Sequence, residues 1–383
     1  MRAARKAMQD GDATAAERQC RDALEVDPLA ADPYHLMAHI AYGQGRLLNA
    51  GEYILEAATR DDSNLDIHAD CGAIMNMLGR APEAEAACRH VVAERPQHAE
   101  AWNNLAVALD QQGRRDEALG ACDTAIGLRS DYVDAFVNKG SLLVKSGDPV
   151  SAIEVLSEAI HLAPDNPLAR VNLASALRAV GEFEFAAEQS REAVRANPNL
   201  PEAHGALGDA QAAAGRYDQA VGAYDKALEL RPGFMAARLN RAAALYRLGR
   251  LDEAVDAYQS LTVDFPQGAD AHAGLGVVHL AAGRLSDAAA SFRRAVEIEP
   301  RHGAAWAALA VAPDGVLDDA DMEIIKKLCD DQKAPIDARI AAHFALADTL
   351  DREGDADAAF AHYQAGNDMR KSVLADRDHI FDE

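Results

Sequence analysis

Five cysteines, thirteen histidines and 62 acidic residues are the side chains in this chain that could ligate a metal, attack a carbonyl or move a proton. Their spacing decides which of these they can do. Cys20, Cys71, Cys88, Cys122 and Cys329 include no C-x-x-C pair, and their number is odd. Neither a zinc site nor a disulfide framework is therefore indicated. Free thiols acting as small core hydrophobes in a reducing compartment account for them. The phosphate loop G-x-x-x-x-G-K-[ST], the zinc motif H-E-x-x-H and the nucleophile elbow G-x-S-x-G are all missing, and no G-x-G-x-x-G follows a strand. Acidic pairs abound, but a solvated acidic helix face explains them better than acid–base catalysis. The expectation is no catalysis, cofactor or metal within these residues.

The elements that carry these side chains are written in a repeat. Pro28, Pro96, Pro164, Pro198, Pro232, Pro266 and Pro300 fall on one lattice of 34 residues, with Asp62 and Ser130 at the two remaining points. A glycine column runs in phase with it: Gly11, Gly45, Gly79, Gly113, Gly147, Gly181, Gly215, Gly249 and Gly283. Five residues after each glycine stands an alanine, from Ala16 to Ala288, and seven before it stands Ala or Gly, from Ala4 to Gly276. A glycine between two apolar-periodic stretches suits a sharp turn, and a proline ends the second stretch. Each copy thus reads helix, tight turn, helix, break, and the small columns mark where paired helices approach closely. A unit of this size cannot bury its own apolar face and must stack on its neighbours. His68, His204, His272 and His343 occupy one column of the first helices, the last of them three residues out of step. They read as packing residues with a hydrogen-bonded ring, spaced too far apart to share one ion.

Composition agrees. Aromatics make up only 5%, which favours close-packed helices over sheets. The net charge of −24 repels nucleic acid and anionic membrane surfaces. No apolar run approaches the roughly 20 residues that span a bilayer. The opening MRAARKAMQDGD lacks the apolar core of a secretion signal, so a cytoplasmic location is expected.

The segments AWNNLAVALDQQGRRDEALGACDTAIGLRS (101–130) and PEAHGALGDAQAAAGRYDQAVGAYDKALELRP (201–232) resemble tetratricopeptide repeats. The resemblance covers residues 1 to about 310. It implies an all-α, right-handed superhelical solenoid of antiparallel helix pairs, with a concave face lined by first helices. Peptide-binding members of that family repeat an asparagine on this face, two residues after the aromatic position. Here that column reads Leu36, Asp70, Asn104, Asn138, Asn172, Ala206, Asn240 and Gly274. A primary amide offers two donors and an acceptor, enough to hold an extended peptide backbone regardless of its sequence. The peptide-binding groove expected is therefore Asp70, Asn104, Asn138, Asn172 and Asn240. Lys145, Arg178 and Arg247 on the same helices would add charge contacts to an acidic ligand. The pattern of paired Lys and Asn by which the family clamps a chaperone tail is not present.

The period fails once. A tenth copy opens with Trp306, Leu309 and Ala310, and then Pro313 falls inside its first helix, followed by Asp314 and Gly315. LDDADMEIIKKLCDD (317–331) predicts a helix capped at Asp318 or Asp319, with an apolar stripe of Met322, Ile325, Leu328 and Cys329. Pro335 suits an early helical position after the loop. Leu346, Ala347, Gly354, Ala359 and Tyr363 then resume the repeat spacing, three residues late. The expected organisation is a solenoid over 1–312, a helical insertion over 313–339, a final out-of-phase pair over 340–373 and a tail over 374–383. The tail's Ile380 and Phe381 have no evident partner.

The acidic helix followed by ARIAAHFALADTLDREGDADAAFAHYQAGNDMRK (338–371) resembles the region before the catalytic domain of bacterial tetratricopeptide-repeat sulfotransferases. In that family a domain with a sulfate-donor loop follows. No residue of this chain matches that loop, so no site is carried over. The resemblance implies a protein- or peptide-binding scaffold that recruits substrate for a larger sulfotransferase. A stand-alone adaptor, an assembly protein pairing through its solenoid ends, and the repeat region of another fused transferase, such as a glycosyltransferase, are the alternatives.

Overall fold

The computed structural model describes residues 1–312 and 317–379, with side chains to residue 373. Among the described residues every regular element is an α-helix. The chain divides into two compact units, Met1–Pro198 and Asn199–Glu383.

The first unit contains α1 (Arg2–Gln9), α2 (Ala13–Val26), α3 (Ala31–Gly43), α4 (Leu47–Arg60), α5 (Leu65–Met77), α6 (Ala81–Glu94), α7 (Ala99–Gln111), α8 (Arg115–Leu128), α9 (Val133–Lys145), α10 (Pro149–Leu162), α11 (Pro167–Ala179) and α12 (Phe183–Ala196). Odd-numbered helices are the first of each pair. The column glycine makes the turn inside a pair: Gly113, at φ 77°, sits in the left-handed region where a Cβ would be strained. The lattice proline closes the pair, as Pro96 does two residues beyond the end of α6. Pro149 and Pro167 open helices, where a missing N–H costs nothing. The side chains of Asp12, Asn64, Asp148 and Asn166 accept hydrogen bonds from first-turn amides.

The second unit contains α13 (Pro201–Ala213), α14 (Tyr217–Leu230), α15 (Met235–Arg247), α16 (Leu251–Asp264), α17 (Ala269–Ala281), α18 (Leu285–Ile298), α19 (Gly303–Val311), α20 (Asp319–Asp330), α21 (Ile336–Glu353) and α22 (Ala356–His379).

Close packing follows the small columns. All nine alanines from Ala16 to Ala288 are fully buried. Across each pair, the residue seven before the turn meets the residue sixteen later on the second helix. A Cβ placed on Gly140 would lie 2.4 Å from Leu156, one on Gly208 2.5 Å from the Tyr224 ring, and one on Gly276 2.6 Å from the Phe292 ring. At Ala106 and Ala174 the residues at that spacing are the smaller Cys122 and Ser190, whereas Ala38 and Ala242 have Ile54 and Tyr258 there. A small residue on the first helix is what leaves room for the ring or branched side chain at Gly140, Gly208 and Gly276, as a close-packed interior demands. All five cysteines are buried free thiols. Burial pushes Cys88, Cys122 and Cys329 up to about 12, so they stay protonated and inert.

Within each unit the first helices converge. α5 touches α7, α7 touches α9 and α9 touches α11; likewise α13 touches α15, α15 touches α17 and α17 touches α19. Among the described residues the second helices make no comparable contact with one another. The first helices therefore line the inner side of each unit.

The last four helices depart from the period. Pro313, Asp314 and Gly315, where a break is expected, lie outside the described residues, as do Ile380 and Phe381. Asp318 caps α20, and a reciprocal capping box with Asp321 closes its first turn. Ile325, Leu328 and Cys329 are buried, and Met322 packs beside them. Pro335 is the N-cap of α21, so that helix begins at Ile336, four residues ahead of the expected 340. Its early turn fits against α19, where a Cβ on Gly303 would come within 2.2 Å of the Ala338 carbonyl oxygen. Backbones this close need glycine. α22 runs on to His379, past the expected end at 373.

Candidate peptide-binding face

All eight predicted groove residues lie on first helices, and four of them, Asp70, Asn138, Asn172 and Lys145, make contacts at a spacing that the 34-residue lattice does not contain. In the first unit, consecutive first helices are joined by several hydrogen bonds between residues 35 apart. His35 meets Asp70 at 2.7 Å, Gln111 donates to the Asn76 carbonyl at 3.1 Å, and Asn138 Nδ2 donates to Asn103 Oδ1 at 2.8 Å. Lys145 Nζ donates to Asp110 at 2.6 Å, and Asn172 Nδ2 donates to the Val137 carbonyl at 3.3 Å. The touching faces of neighbouring first helices are thus offset by one residue from the repeat. In the second unit Asn240 Nδ2 donates to Asp209, which also accepts from the Tyr224 hydroxyl, both at 2.8 Å.

Most of the asparagine column is therefore engaged in joining helices. Asn104 is the exception in the first unit: it is half-buried, its backbone carbonyl accepts from Asn76 Nδ2 at 2.7 Å, and its amide has no partner among the described residues. Arg178 is exposed and likewise unpartnered among the described residues. Arg247 is exposed, with its guanidinium 5.2 Å from the centre of the Tyr217 ring. The shift from Asn to Ala206 and Gly274 in the second unit has a packing cause at Gly274, where a Cβ would lie 2.3 Å from the Tyr258 ring. Asn103 and Asp209, which hold the column's Asn138 and Asn240, are positions that the family column does not include.

Asp70 stands apart. It accepts from both His35 and His39, the latter at 3.0 Å. Burial raises the Asp70 carboxyl, but the two imidazoles outweigh it and hold it well below the ordinary carboxylate range. The Asp70 bond in turn raises His39 above its usual value, against the opposing effect of burial.

The aromatic-position column has a clear task. Trp102 Nε1 donates to the Pro96 carbonyl and Trp306 Nε1 to the Pro300 carbonyl, each at 2.9 Å, and Arg170 donates to the Pro164 carbonyl at 2.8 Å. His272 Nε2 sits 3.4 Å from the Pro266 carbonyl. A donor in this column satisfies a carbonyl left open at the preceding helix break. His204 is half-buried on α13. His68 and His343 do not meet each other but do meet histidines outside the column. The His68 ring packs 4.5 Å from that of His90 beside Asp62, and His343 Nδ1 lies 3.0 Å from His362 Nδ1 beside Cys329. Folding therefore assembles three His-containing groups that column spacing does not reveal: Asp62–His68–His90, His35–His39–Asp70 and Cys329–His343–His362. The one signal in the sequence is the pair His35 and His39, four apart on one helix.

No helix among the described residues is long and apolar enough to cross a membrane. No curated protein matches the chain. Among solved structures it is similar to the APC/C hetero-tetramer Cut9-Hcn1 (18% identity, 80% of this chain and 60% of that one, TM-score 0.61). It is also similar to the human IFIT1 dimer with PPP-AAAA (16% identity, 96% and 89% covered, TM-score 0.58). The chain spans 60% of the length of the first of these, and both likenesses concern the fold. Family profiles described as tetratricopeptide repeat match residues 78–133, 143–210, 205–269 and 239–305, ending short of the segment from 317 on which the sulfotransferase resemblance rests. With more than half of its length matched and the helix pairs in place, the chain belongs to the tetratricopeptide-repeat family.

Proposed function

We propose that the chain is a protein- or peptide-binding scaffold whose ligand lies along the first-helix side of its units. The observation that carries this reading is the set of polar side chains there that no hydrogen bond or ion pair engages among the described residues. Asn104 offers an unengaged amide, and Arg178 and Arg247 present exposed cations, on the side where first helices converge. An amide that reads backbone and a cation that reads charge together suit an extended segment with acidic side chains. Asp70, Asn138, Asn172, Asn240 and Lys145 act mainly by fixing the helices that present these groups. The test is a photo-crosslinking residue placed at 104, at 178 or at exposed Glu158 on a second helix, with bound peptides mapped by mass spectrometry. Crosslinks to acidic extended peptides at 104 and 178, and none at 158, are expected. Equal labelling at 158 would remove the groove reading.

A second reading, recruitment of substrate for a sulfotransferase, is favoured by the segment 317–373. That segment, which forms the capped acidic helix α20 and the α21–α22 pair, carries the residues of the resemblance. Sulfated product from the full-length gene product, given an acceptor peptide and a sulfate donor, would support it; a gene product with no transferase activity would remove it.

A further inference from the structure

Three ligand-capable atoms converge on the first-helix side of the first unit. His35 and His39 are one turn apart on α3, so their rings share a face. Asp70 reaches the same point from α5. The three atoms form a closed triangle: His35 Nε2 to Asp70 Oδ2 is 2.7 Å, His39 Nε2 to the same oxygen is 3.0 Å, and the two Nε2 atoms are 3.1 Å apart.

Protons alone do not satisfy this triangle. If both Nε2 atoms carry hydrogen, both donate to the carboxylate, but the two N–H groups then face each other. If only one does, the lone pair of the other ring faces a carboxylate oxygen. One contact is always between like groups. A cation at the centre turns all three into attractions. Neither of the other two groups closes such a triangle of short contacts. At Cys329–His343–His362 the single Nδ1–Nδ1 contact is met by one proton, and burial holds the thiol protonated. At Asp62–His68–His90 the His90 Nε2 is already committed to the Asp62 carbonyl at 2.9 Å.

We propose that His35, His39 and Asp70 bind a divalent first-row transition metal ion, zinc foremost. A tetrahedral zinc ion with such ligands spaces their atoms about 3.3 Å apart. The triangle needs to open by only a few tenths of an ångström to accept it. His35 is mostly buried, while His39 and Asp70 keep 47% and 38% of their side chains exposed, so the ion is reachable. Two imidazoles and a carboxylate leave a coordination position open. Beside it lies a cavity of about 360 Å³, bordered by Arg5, Met8, Gln9 and Asp32. That space admits a fourth ligand, either water or a His, Cys or carboxylate side chain of a bound peptide. The site thus adds a metal-dependent anchor to the first-helix side, and its metal affinity does not depend on whether peptides bind elsewhere on that face.

The test is calorimetric titration of the metal-free full chain with Zn²⁺ near neutral pH, where both imidazoles lose any proton on binding. One ion per chain is expected. His39→Gln, a change at a half-exposed side chain that leaves the core intact, should weaken binding at least about tenfold, and Asp70→Asn should do the same. Cys329→Ser should bind like the unaltered protein. Cobalt substitution should give a tetrahedral visible spectrum without a thiolate charge-transfer band. Unchanged affinity in His39→Gln, or a thiolate band lost in Cys329→Ser, would place the ion elsewhere and overturn the proposal.

Discussion

The in-phase pairs α15–α18 and the terminal helices α19–α22 belong to one compact unit and use the same residue types, yet they pack by different rules. In the repeats, a small residue on the first helix makes room for a side chain on its own partner sixteen residues later, as Gly276 does for Phe292. At the end, Gly303 faces not a side chain but the backbone of Ala338, on a helix 35 residues away that follows an insertion. Trp102 and Trp306 make the same hydrogen bond to the preceding proline carbonyl, but Trp102 is partly exposed whereas Trp306 is 2% exposed and sits in a core with Leu346, Ile325 and Leu328. A regular repeat distributes its stability over many equal contacts, while a junction concentrates it in a few. The lesson is that one column letter can carry different energies in different contexts.

That contrast can be broken by mutation. The largest effect is expected at Trp306→Ala, about 3–5 kcal/mol of destabilisation from lost burial and an emptied cavity. Trp102→Ala should cost distinctly less, about 1–2 kcal/mol, because part of that ring is already wet. Chemical denaturation of both variants reads the difference, and equal losses would dissolve the distinction between junction and repeat. Next comes Gly303→Ala. A methyl group directed at a carbonyl that cannot rotate away should cost about 2–3 kcal/mol, more than Gly276→Ala, where the obstructing group is the Phe292 ring. A smaller shift in melting temperature for Gly303→Ala than for Gly276→Ala would contradict this.

The smallest effect sharpens the comparison from the repeat side. Glu85 on α6 is held by Arg89, Gln112 and Arg114, with Arg114 at 2.7 Å. Burial raises its carboxyl, but these donors prevail and bring it from 4.5 to about 2. The folded state therefore binds this proton less readily than the unfolded one. The stability it adds is complete above 4.5 and is lost as pH falls towards 2. Glu85→Gln should lower stability at neutral pH by about 0.5–1 kcal/mol, the scale of a solvent-screened ion pair. It should also flatten the acid limb of a melting-temperature profile between those pH values, and an unaltered limb would show that the bond adds nothing.

Much of the fold was legible because the repeat states it nine times over. The glycine, alanine and proline columns locate every turn and break from α1 to α18, and Asp318 with Asp321 announces α20. The position of α21 was less legible. Its start at Ile336 depends on a backbone contact with Gly303 that occurs once and leaves no column. The candidate face shows the same division. Its helices were readable, but Asn138 reaching Asn103, and His35 meeting Asp70, depend on an offset of one residue between neighbouring first helices. An alignment by 34 hides a contact at 35.

By itself the sequence determined that small side chains recur where rods must touch, so that helix pairs form and stack, because contacts within a pair are close along the chain and recur at the same spacing in every copy. Only the tertiary structure decided which polar groups on those rods would be spent on neighbours and which would stay free. That choice depends on how far one helix slides past the next, and a slide of a single residue changes every partner.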